Sequence, residues 1–318
     1  MGLYRTTRRG GGAMEFPSTG EVLAIGELLW DVLSNGKLLG GAPANYCYRL
    51  RQLGVPARMV SRVGSDALGD ELIAALNQKD FDLSLVQRDS SLPTGTVDVT
   101  LTEDGNPHFV INKNVAYDQI EVTDDLMRAA KTARFICFGT LTQRSAKTRE
   151  TLYKLLSESS NATKFLDINL RKDCYSEDTV NSSIKNCDIL KLNSSEVVVV
   201  SDLLGLATKN IDNLVSVVMK DFGVSVVLVT LGDKGVVAAD KSGEHISVPG
   251  IAVKVADTIG AGDAFSAGFT FRYLQGASLK ECCKLGNMIG AMSAARSGGM
   301  PNIDAKEIQE FLAELEPA

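Results

Sequence analysis

The sequence predicts an α/β fold, in which helices cover a parallel β-sheet and a smaller β-sheet projects from the main body. Short β-rich runs alternate with helical stretches along most of the 318 residues, which is typical of a parallel sheet with covering helices. The alternation stops at residues 96–111, where apolar and polar residues alternate as in half-exposed strands. After Asp263 the pattern indicates almost only helix. We find no internal repeat or interdomain linker.

The elements of the main body are expected in a simple order. The first strand covers residues 22–25, and the helix behind it covers residues 45–53. A strand at residues 58–63 is followed by a helix at residues 68–77, whose apolar residues recur at helical spacing. Helices fit between most of the later strands, which are expected at residues 134–138, 164–168, 189–192, 226–230 and 236–238.

The smaller sheet is expected to contain a hairpin within residues 95–114. Apolar residues share one face of residues 96–102, Asp104-Gly105 marks a turn, and residues 109–111 form the return strand. These strands would be half exposed. A structural flap and a lid that excludes water from an active site are both consistent with this pattern.

Another hairpin of the same small sheet is expected within residues 28–40. Asn35-Gly36 interrupts this stretch and suits a tight turn. A half-apolar projecting sheet leaves a face and an edge that a second subunit could cover. A homodimer formed through this sheet is therefore a hypothesis.

Composition and charge exclude several classes of protein. A net charge of −6 disfavours nucleic-acid binding, which draws on dense Lys and Arg patches. No apolar run reaches the ~18 residues of a membrane span, so no membrane partner is expected. We interpret the basic residues 1–17 as a flexible N-terminal extension, with a transit segment as the alternative, ahead of one domain at residues 18–318.

The six cysteines and two histidines are scattered along the chain. No two cysteines form a C-x-x-C pair, so neither a zinc site nor a disulfide framework is expected. Reduced thiols fit a cytoplasmic protein better.

Residues 257–263, Asp-Thr-Ile-Gly-Ala-Gly-Asp, are the most informative stretch of the chain. Two glycines and an alanine leave the backbone accessible where an apolar helix begins. Free N–H groups and the positive end of the helix dipole then converge on a space that suits a phosphate oxyanion. Asp263 beside this space would repel phosphate, but it can take a proton from a hydroxyl that attacks phosphorus. The alternative is an ordinary glycine turn.

Two segments near the start offer groups for a polar ligand. Residues 40–45, Gly-Gly-Ala-Pro-Ala-Asn, open a helix, and the Asn45 amide offers a donor and an acceptor to a pair of sugar hydroxyls. Asp31 follows the first strand, where open α/β sheets bind ligands. An ordinary helix start and an exposed loop aspartate are the alternatives.

Two segments follow later strands. Arg171, in Asp167-Ile168-Asn169-Leu170-Arg171, could clamp a substrate oxygen or phosphate, or form a surface ion pair. The spacing of Asn193 and Glu196 is that of a helix capping box, and the alternative places Glu196 near Mg²⁺ through water.

A glycine turn lies between two β-like runs at residues 230–235, Thr-Leu-Gly-Asp-Lys-Gly. It is either a tight turn alone or a loop that touches nucleotide phosphates. Neither G-x-x-x-x-G-K-[ST] nor, after the first strand, G-x-G-x-x-G occurs, which excludes a P-loop and the dinucleotide-binding fingerprint.

In this order and together, the segments resemble the ribokinase/PfkB family of carbohydrate kinases over residues 20–315. The resemblance rests on residues 40–45, on Asn193-x-x-Glu196 and on residues 257–263. Within the family the chain looks most like fructokinases, because of Gly26-Glu27 followed by Asp31, the Ala-Pro-Ala of the glycine motif, and Asp167-x-Asn169-Leu170-Arg171. The resemblance implies a ribokinase-like, three-layer αβα (Rossmann-like) main domain with the small sheet as its lid.

The resemblance also implies a role for each matching residue. Asp263 would be the catalytic base, with an anion hole formed by Gly260, Ala261 and Gly262. Sugar hydroxyls would be held by Asp263 and by Asp31, Gly41, Asn45 and Arg171. ATP would be bound by Lys191, Asn193, Thr230, Gly232 and Gly235, with Asn287 near the adenine, and Glu196 would hold Mg²⁺ through water. A K⁺ site, mostly of backbone oxygens, would use Asp257, Ile259, Ser293, Arg296, Gly298 and Asn302. Ile259 stands where threonine is usual, which a backbone carbonyl tolerates.

The implied function is an ATP-dependent carbohydrate kinase that phosphorylates the primary hydroxyl of a sugar. D-Fructose is the leading substrate and fructose 6-phosphate the product, with ATP and Mg²⁺, and with K⁺ as a further candidate cofactor. Ribose, 2-keto-3-deoxygluconate and nucleosides stay open, because Asp31 and Arg171 do not separate them. A non-catalytic sugar-binding relative is the alternative of another class, and it would be expected to lack the base or the anion hole.

Overall fold

The computed structural model describes residues 21–34, 36–101 and 107–315. The β-strands in these ranges are β1 (Val22–Ile25), β2 (Leu29–Leu33), β3 (Gly36–Gly40), β4 (Ala57–Gly64), β5 (Val86–Asp89), β6 (Gly95–Leu101), β7 (Pro107–Ile111), β8 (Phe135–Phe138), β9 (Thr163–Asp167), β10 (Ile189–Asn193), β11 (Val226–Thr230), β12 (Val236–Asp240) and β13 (His245–Val248).

The α-helices in the same ranges are α1 (Ala42–Gln52), α2 (Ala67–Asn77), α3 (Asp124–Thr132), α4 (Ala146–Glu158), α5 (Glu177–Lys185), α6 (Ser194–Leu203), α7 (Ile211–Phe222), α8 (Ala261–Leu274), α9 (Leu279–Ala294) and α10 (Ala305–Leu315). None of these helices combines the length and the hydropathy that a membrane span requires.

Nine strands form the main sheet in the order β13-β12-β11-β10-β9-β8-β1-β4-β5. The seven strands from β11 to β5 are parallel, and β12 and β13 continue the sheet as antiparallel strands. From β1 the chain first builds one side of the sheet and then returns to place β8 on the other side. The carboxyl ends of β1 and β8 therefore form a topological switch point, where open α/β sheets bind ligands.

The main sheet has a hydrophobic core on each face. Successive side chains of a strand point to opposite faces, and in β1 Val22 and Ala24 join one core while Leu23 and Ile25 join the other. The first core is completed by α1, α2, α8 and α9, and the second by α3 to α7. The chain thus has the predicted three layers, helix on sheet on helix.

Four strands form a separate small sheet in the order β3-β2-β6-β7. Strands β2 and β6 are parallel, while β3 and β7 pair antiparallel at the edges. Leu38, Phe109 and Val110 leave 44–49% of their surface exposed, so this sheet is half exposed, as its alternating sequence predicts.

The predicted fold class, an α/β main body with a separate small sheet, is confirmed, and the predicted strands of the main body form within a residue or two of their expected bounds. The predicted helix at residues 45–53 begins earlier, at Ala42, because Pro43 suits a first helical turn. Strands β5 and β13 were not predicted. Residues 1–17, Asn35 and the Asp104-Gly105 turn lie outside the described residues.

Candidate active site

A narrow cleft lies at the switch point of the main sheet. Its walls include Glu27 after β1, Ala42 at the start of α1, Asp167 and Asn169 at the end of β9, and Asp263 in the first turn of α8. Sequence segments more than two hundred residues apart thus meet in one space.

Helix α8 begins at Gly260 without a capping side chain. Gly260 has φ 73°, and a β-carbon there would lie 2.7 Å from the carbonyl oxygen of Gly299, so both the dihedral and the close approach require glycine. Ala261 and Gly262 follow in the first turn. An uncapped helix start of this kind directs backbone N–H groups and the positive end of the dipole outward, which suits an anion.

Asp263 lies in the first turn of α8. Asn45 holds it, because Nδ2 of Asn45 donates a hydrogen bond to Oδ2 of Asp263 at 2.8 Å. Removal from water, helped by repulsion from Asp167, raises the pKa of Asp263 to about 6, against the opposite effects of Asn45, Lys191 and Arg171. The carboxyl is therefore ionised at neutral pH and only moderately acidic, which suits a group that accepts a proton from an alcohol.

Lys191 and Asp167 form a buried ion pair behind the start of α8. The Lys191 ammonium donates to both carboxylate oxygens of Asp167, at 3.0 and 2.9 Å, and the Ser266 hydroxyl donates to Oδ2 at 2.9 Å. A β-carbon at Gly262 would lie 3.1 Å from Lys191 Nζ. Burial lowers the pKa of Lys191, but the attraction of Asp167 and other acids outweighs it and raises the pKa above its ordinary value. Lys191 therefore brings a fixed positive charge to the anion-binding end of α8.

The first turn of α6 contains the capping box that its sequence predicts. Asn193 Oδ1 accepts from the Glu196 N–H at 2.9 Å, and Glu196 Oε2 accepts from the Asn193 N–H at 2.8 Å. Glu196 Oε1 also accepts from the Leu170 N–H at 2.8 Å. Burial raises the pKa of Glu196, although Lys191 opposes this effect. Each carboxylate oxygen keeps a lone pair beyond these bonds, so water-mediated magnesium binding stays a prediction beside the observed cap.

Asp31 lies on β2 of the small sheet, which reaches toward the cleft. Burial raises the pKa of Asp31 to about 6, and the positive charge of Arg171 counteracts it. A β-carbon at Gly40 would lie 2.4 Å from Asp31 Oδ2, and one at Gly41, where φ is 111°, would lie 2.4 Å from the Glu27 carbonyl oxygen. Gly40 therefore allows close packing against the Asp31 carboxylate, and Gly41 allows it against the Glu27 backbone.

Arg171 and Asn45 both act on Asp263, the first through its charge and the second through a hydrogen bond. Arg171 is exposed, and its charge acts on Glu27, Asp31 and Asp263. Asn45 is buried, and its Oδ1 has no hydrogen-bond partner among the described residues. The structure thus places Asn45 against the predicted base, and its contact with sugar hydroxyls stays a prediction.

The predicted nucleotide contacts lie around the carboxyl end of β11. The Thr230 hydroxyl donates to the Leu192 carbonyl at 3.4 Å. Gly232, at φ 64°, faces open space, whereas a β-carbon at Gly235 would lie 2.1 Å from the Val248 carbonyl oxygen. Gly235 is thus required for packing, and its contact with a nucleotide stays a prediction.

Asn287 on α9 is buried and donates to two backbone carbonyls, Val248 at 3.2 Å and Pro249 at 2.9 Å. These bonds fix α9 to the end of β13. The predicted place of Asn287 near an adenine is compatible with this position but is not tested by it.

The predicted K⁺ residues gather around Asp257. Its Oδ1 accepts from the Ile259 N–H and its Oδ2 from the Gly298 N–H, both at 2.9 Å. The buried Ser293 hydroxyl has no hydrogen-bond partner among the described residues. Among all residues that the structure describes, no three His, Cys, Asp or Glu side chains are grouped as a metal site would need. A cation near Asp257 would therefore depend mostly on backbone oxygens.

Two other side chains predicted for the K⁺ site point elsewhere. The Arg296 guanidinium donates to the Met292 carbonyl at 2.8 Å and to the Glu307 carboxylate. Asn302 Oδ1 accepts from Gln52 Nε2 at 2.7 Å. Arg296 and Asn302 could therefore contribute only through their backbone oxygens.

Sequence reasoning assigned no role to three residues of the site: Glu27, Asp167 and Ser266. Glu27 lines the cleft, and its Oε1 accepts from the Ala42 N–H at 3.2 Å. Glu27 lies two residues after the predicted strand 22–25, and Asp167 lies near the end of the predicted strand 164–168. The position of an acid at the carboxyl end of an apolar strand would have indicated both, whereas nothing local distinguishes Ser266.

Comparison with known proteins gives concordant results. The model of the pfkB family of carbohydrate kinases matches residues 22–306 of this chain. An uncharacterized sugar kinase of Pyrococcus horikoshii is 30% identical over 320 residues, 92% of this chain and 98% of the relative. Its structure in complex with ATP gives a TM-score of 0.75 at 28% identity, covering 88% of this chain and 94% of that one.

Two fructokinases are also similar to this chain. Fructokinase-1 of Zea mays is 29% identical over 282 residues, 84% of this chain and 85% of the relative. A fructokinase double mutant from Vibrio cholerae O395, solved with fructose, ADP and potassium ion, gives a TM-score of 0.78 at 24% identity, covering 94% of this chain and 100% of that one. At that identity the second likeness concerns the fold alone.

Proposed function

This chain belongs to the pfkB family of carbohydrate kinases and is an ATP-dependent sugar kinase, and we propose that its substrate is D-fructose and its product fructose 6-phosphate. The observation that carries the proposal is the start of α8, where Asp263 is held by Asn45 beside an uncapped helix N-terminus. The fructokinases among the similar proteins favour fructose over the other sugars of the family.

In the proposed reaction Asp263 accepts the proton of the sugar's primary hydroxyl. The hydroxyl oxygen forms a bond to the γ-phosphorus, and the bond from that phosphorus to its bridging oxygen breaks to release ADP. Gly260, Ala261 and Gly262 stabilise the charge on the transferring group through their backbone N–H groups. Lys191 adds a positive charge at the same end of α8.

Asp31, Gly41, Asn45 and Arg171 are proposed to hold the sugar. Asp31 accepts hydrogen bonds from sugar hydroxyls in this proposal. Its pKa is raised only to about 6, so the carboxylate is still mostly ionised at neutral pH. Arg171 supports this because its positive charge lowers the pKa values of Glu27, Asp31 and Asp263 against the effect of burial.

The nucleotide is proposed to bind along Lys191, Asn193, Thr230, Gly232 and Gly235, with Asn287 near the adenine. The buried carboxylate of Glu196, an oxygen donor with free lone pairs, fits Mg²⁺ bound through water. Bound Mg²⁺ neutralises charge that develops on the phosphates.

A K⁺ ion is proposed beside the anion hole. Ser293 offers a buried hydroxyl without a partner among the described residues, and the Asp257 carboxylate holds the Gly298 backbone through its N–H. The backbone oxygens of Ile259, Arg296, Gly298 and Asn302 would complete the site.

We further propose a cytoplasmic location and a homodimer formed through the small sheet. Six buried cysteines without disulfides support the first. Leu38, Phe109 and Val110, apolar and exposed on the small sheet, support the second. A monomeric mass at micromolar concentration would contradict the dimer.

The proposal is tested with a panel of D-fructose, D-ribose, 2-keto-3-deoxygluconate and adenosine, each with ATP and Mg²⁺ and with a coupled ADP readout, in potassium or sodium chloride. D-Fructose is expected to give the highest kcat/KM, and potassium to raise it. A higher kcat/KM for another member of the panel would replace fructose as the substrate. If none of the four compounds supports ADP formation, the assignment of Asp263 as a base for a sugar hydroxyl would be contradicted.

A further inference from the structure

Glu27 is a buried acid in the sugar cleft for which the reaction above has no role. It lies two residues after the end of β1, it is 6% exposed, and it lines the same cleft as Asp263. Its Oε1 accepts a hydrogen bond from the Ala42 N–H at 3.2 Å.

Glu27 is joined to the start of α1, which leads to Asn45. Gly41 at the N-cap of α1 contributes no side-chain cap, and the acid on the neighbouring strand end supplies an oxygen instead. A β-carbon at Gly41 would lie 2.4 Å from the Glu27 carbonyl oxygen, so the two segments are in close contact. The position of the Glu27 carboxyl relative to Asn45 and Asp263 is thereby fixed.

A helix cap alone does not require an acid at this place. Burial raises the pKa of Glu27 to about 7, against the lowering effect of backbone hydrogen bonds and Arg171. The folded state therefore binds a proton that the unfolded state has already released, and Glu27 lowers the free energy of unfolding as pH rises from about 4.5 to about 7. A neutral acceptor such as glutamine would supply the cap without this cost.

The groups that face Glu27 leave its charge available to a ligand. Asp263 on α8 repels it, and Arg171 after β9 is the cation that attracts it. Burial and the charge of Glu27 raise the pKa of both Tyr117 and Cys137, so these two side chains are uncharged near pH 7. A sugar hydroxyl in the cleft is a donor that could offset the burial of this carboxylate.

We propose that Glu27 is a specificity-determining residue of the sugar site, whose carboxylate accepts a hydrogen bond from a hydroxyl of the bound sugar. The cleft then selects sugars that carry a hydroxyl at that place and disfavours their deoxy analogues, because an analogue would leave a buried carboxylate without the hydrogen bond that the hydroxyl donates. This inference rests on the proposed function, and it adds a contact to those of Asp31, Asn45 and Arg171.

The test uses Glu27→Gln, which keeps the length of the side chain and an oxygen for the Ala42 N–H. With D-fructose we expect KM to rise ~10-fold with kcat little changed, because a charged acceptor is lost from substrate binding alone. The monodeoxy analogues of D-fructose identify the hydroxyl. Wild type should discriminate against one of them, and Glu27→Gln should lose that discrimination and no other.

The pH dependence of KM separates this role from a helix cap. In wild type, KM for D-fructose should rise about fourfold as pH falls from about 8.5 to about 6.5, because a group of pKa about 7 loses its charge. The rise should vanish in Glu27→Gln and persist in the control Asp31→Asn, whose removed group titrates at about 6.

Several results would overturn the inference. A wild-type KM that is constant over this pH range, or a Glu27→Gln variant with unchanged KM, would leave Glu27 as a cap of α1 only. A fall in kcat with KM unchanged would make it a positioning residue instead. The absence of fructose turnover by wild type would reject the proposed function and is recognised by the sugar panel alone.

Discussion

Helices α6 and α8 both begin near the proposed phosphoryl-transfer site, and their first turns are completed in opposite ways. At α6, Asn193 and Glu196 satisfy each other's backbone N–H groups. At α8, Gly260 brings no side chain and the start of the helix remains uncapped. A cap of the first kind contributes ~1 kcal/mol to stability, whereas an uncapped start keeps the helix dipole available to an anion. The comparison teaches that side chains satisfy the first turn of α6, whereas α8 leaves its first backbone N–H groups without a side-chain cap, as the proposed anion hole requires.

The largest effect should follow a change at the uncapped start, in Asp263→Asn. Loss of the base should lower kcat by ~10²–10⁴, because the sugar hydroxyl then loses its proton acceptor. Binding of sugar and ATP, measured by calorimetry, should persist. Asp124→Asn, a first-turn aspartate of α3 on the other face of the sheet, is the matched control and should leave kcat unchanged. Near-normal turnover by Asp263→Asn would contradict the mechanism.

A second change at the same start, Gly260→Ala, tests its backbone. The left-handed conformation alone costs an alanine ~1–2 kcal/mol. At Gly260 a clash with the Gly299 carbonyl oxygen, 2.7 Å from the β-carbon, is added and should displace the anion hole. We expect a large loss of kcat and a lower midpoint of denaturation. The control is Gly205→Ala. Gly205 also has a positive φ, 65°, but an added β-carbon would meet open space, so this variant should lose stability and keep its activity. Equal activities of the two variants would contradict the role of this backbone.

Much of this comparison could be predicted from sequence, because helix starts are local. The spacing of Asn193 and Glu196 predicts the capping box that is observed, and the glycines of residues 257–263 predict the open start of α8. The contacts around Asp263 could not be predicted in this way. Asn45 reaches it across 218 residues of sequence, and Ser266 reaches Asp167 across 99.

The limits of prediction for the fold follow the same reasoning. Central strands such as β1 and β8 are apolar along their whole length because both faces are covered, and their runs are easily recognised. Strands β5 and β13 lie at the two edges of the sheet, carry polar residues and keep exposed positions, so their sequences resemble loops.

A smaller effect is expected at the capped start, in Glu196→Gln. The variant loses the negative charge, and because an amide nitrogen replaces one carboxylate oxygen, it can keep only one of the two backbone hydrogen bonds that Glu196 accepts from Leu170 and Asn193. If Glu196 holds magnesium through water, the Mg²⁺ concentration for half-maximal activity should rise ~10-fold. A Mg²⁺ titration of activity measures this. An unchanged titration would leave Glu196 as a member of the capping box only.

The smallest effect is expected at a capped start that lies away from the site. Asn210 caps α7 by accepting from the Asn213 N–H at 2.8 Å. Asn210→Ala should lower the free energy of unfolding by ~1 kcal/mol and leave kcat and KM unchanged. Asn193→Ala should lose similar stability and also raise KM for ATP. Urea denaturation and steady-state kinetics compare the two, and equal KM values would remove Asn193 from the nucleotide site.

The account depends most directly on Asp263 acting as a base in the cleft. The decisive measurement is kcat of the wild type at saturating D-fructose, ATP and Mg²⁺ as a function of pH. A base is active when it is deprotonated, so kcat should fall as pH drops through about 6, the pKa to which burial and Asp167 raise this carboxyl. The residual turnover of Asp263→Asn should lack this step. A wild-type kcat that stays constant through this range, or a variant that keeps the same step, would contradict the assignment.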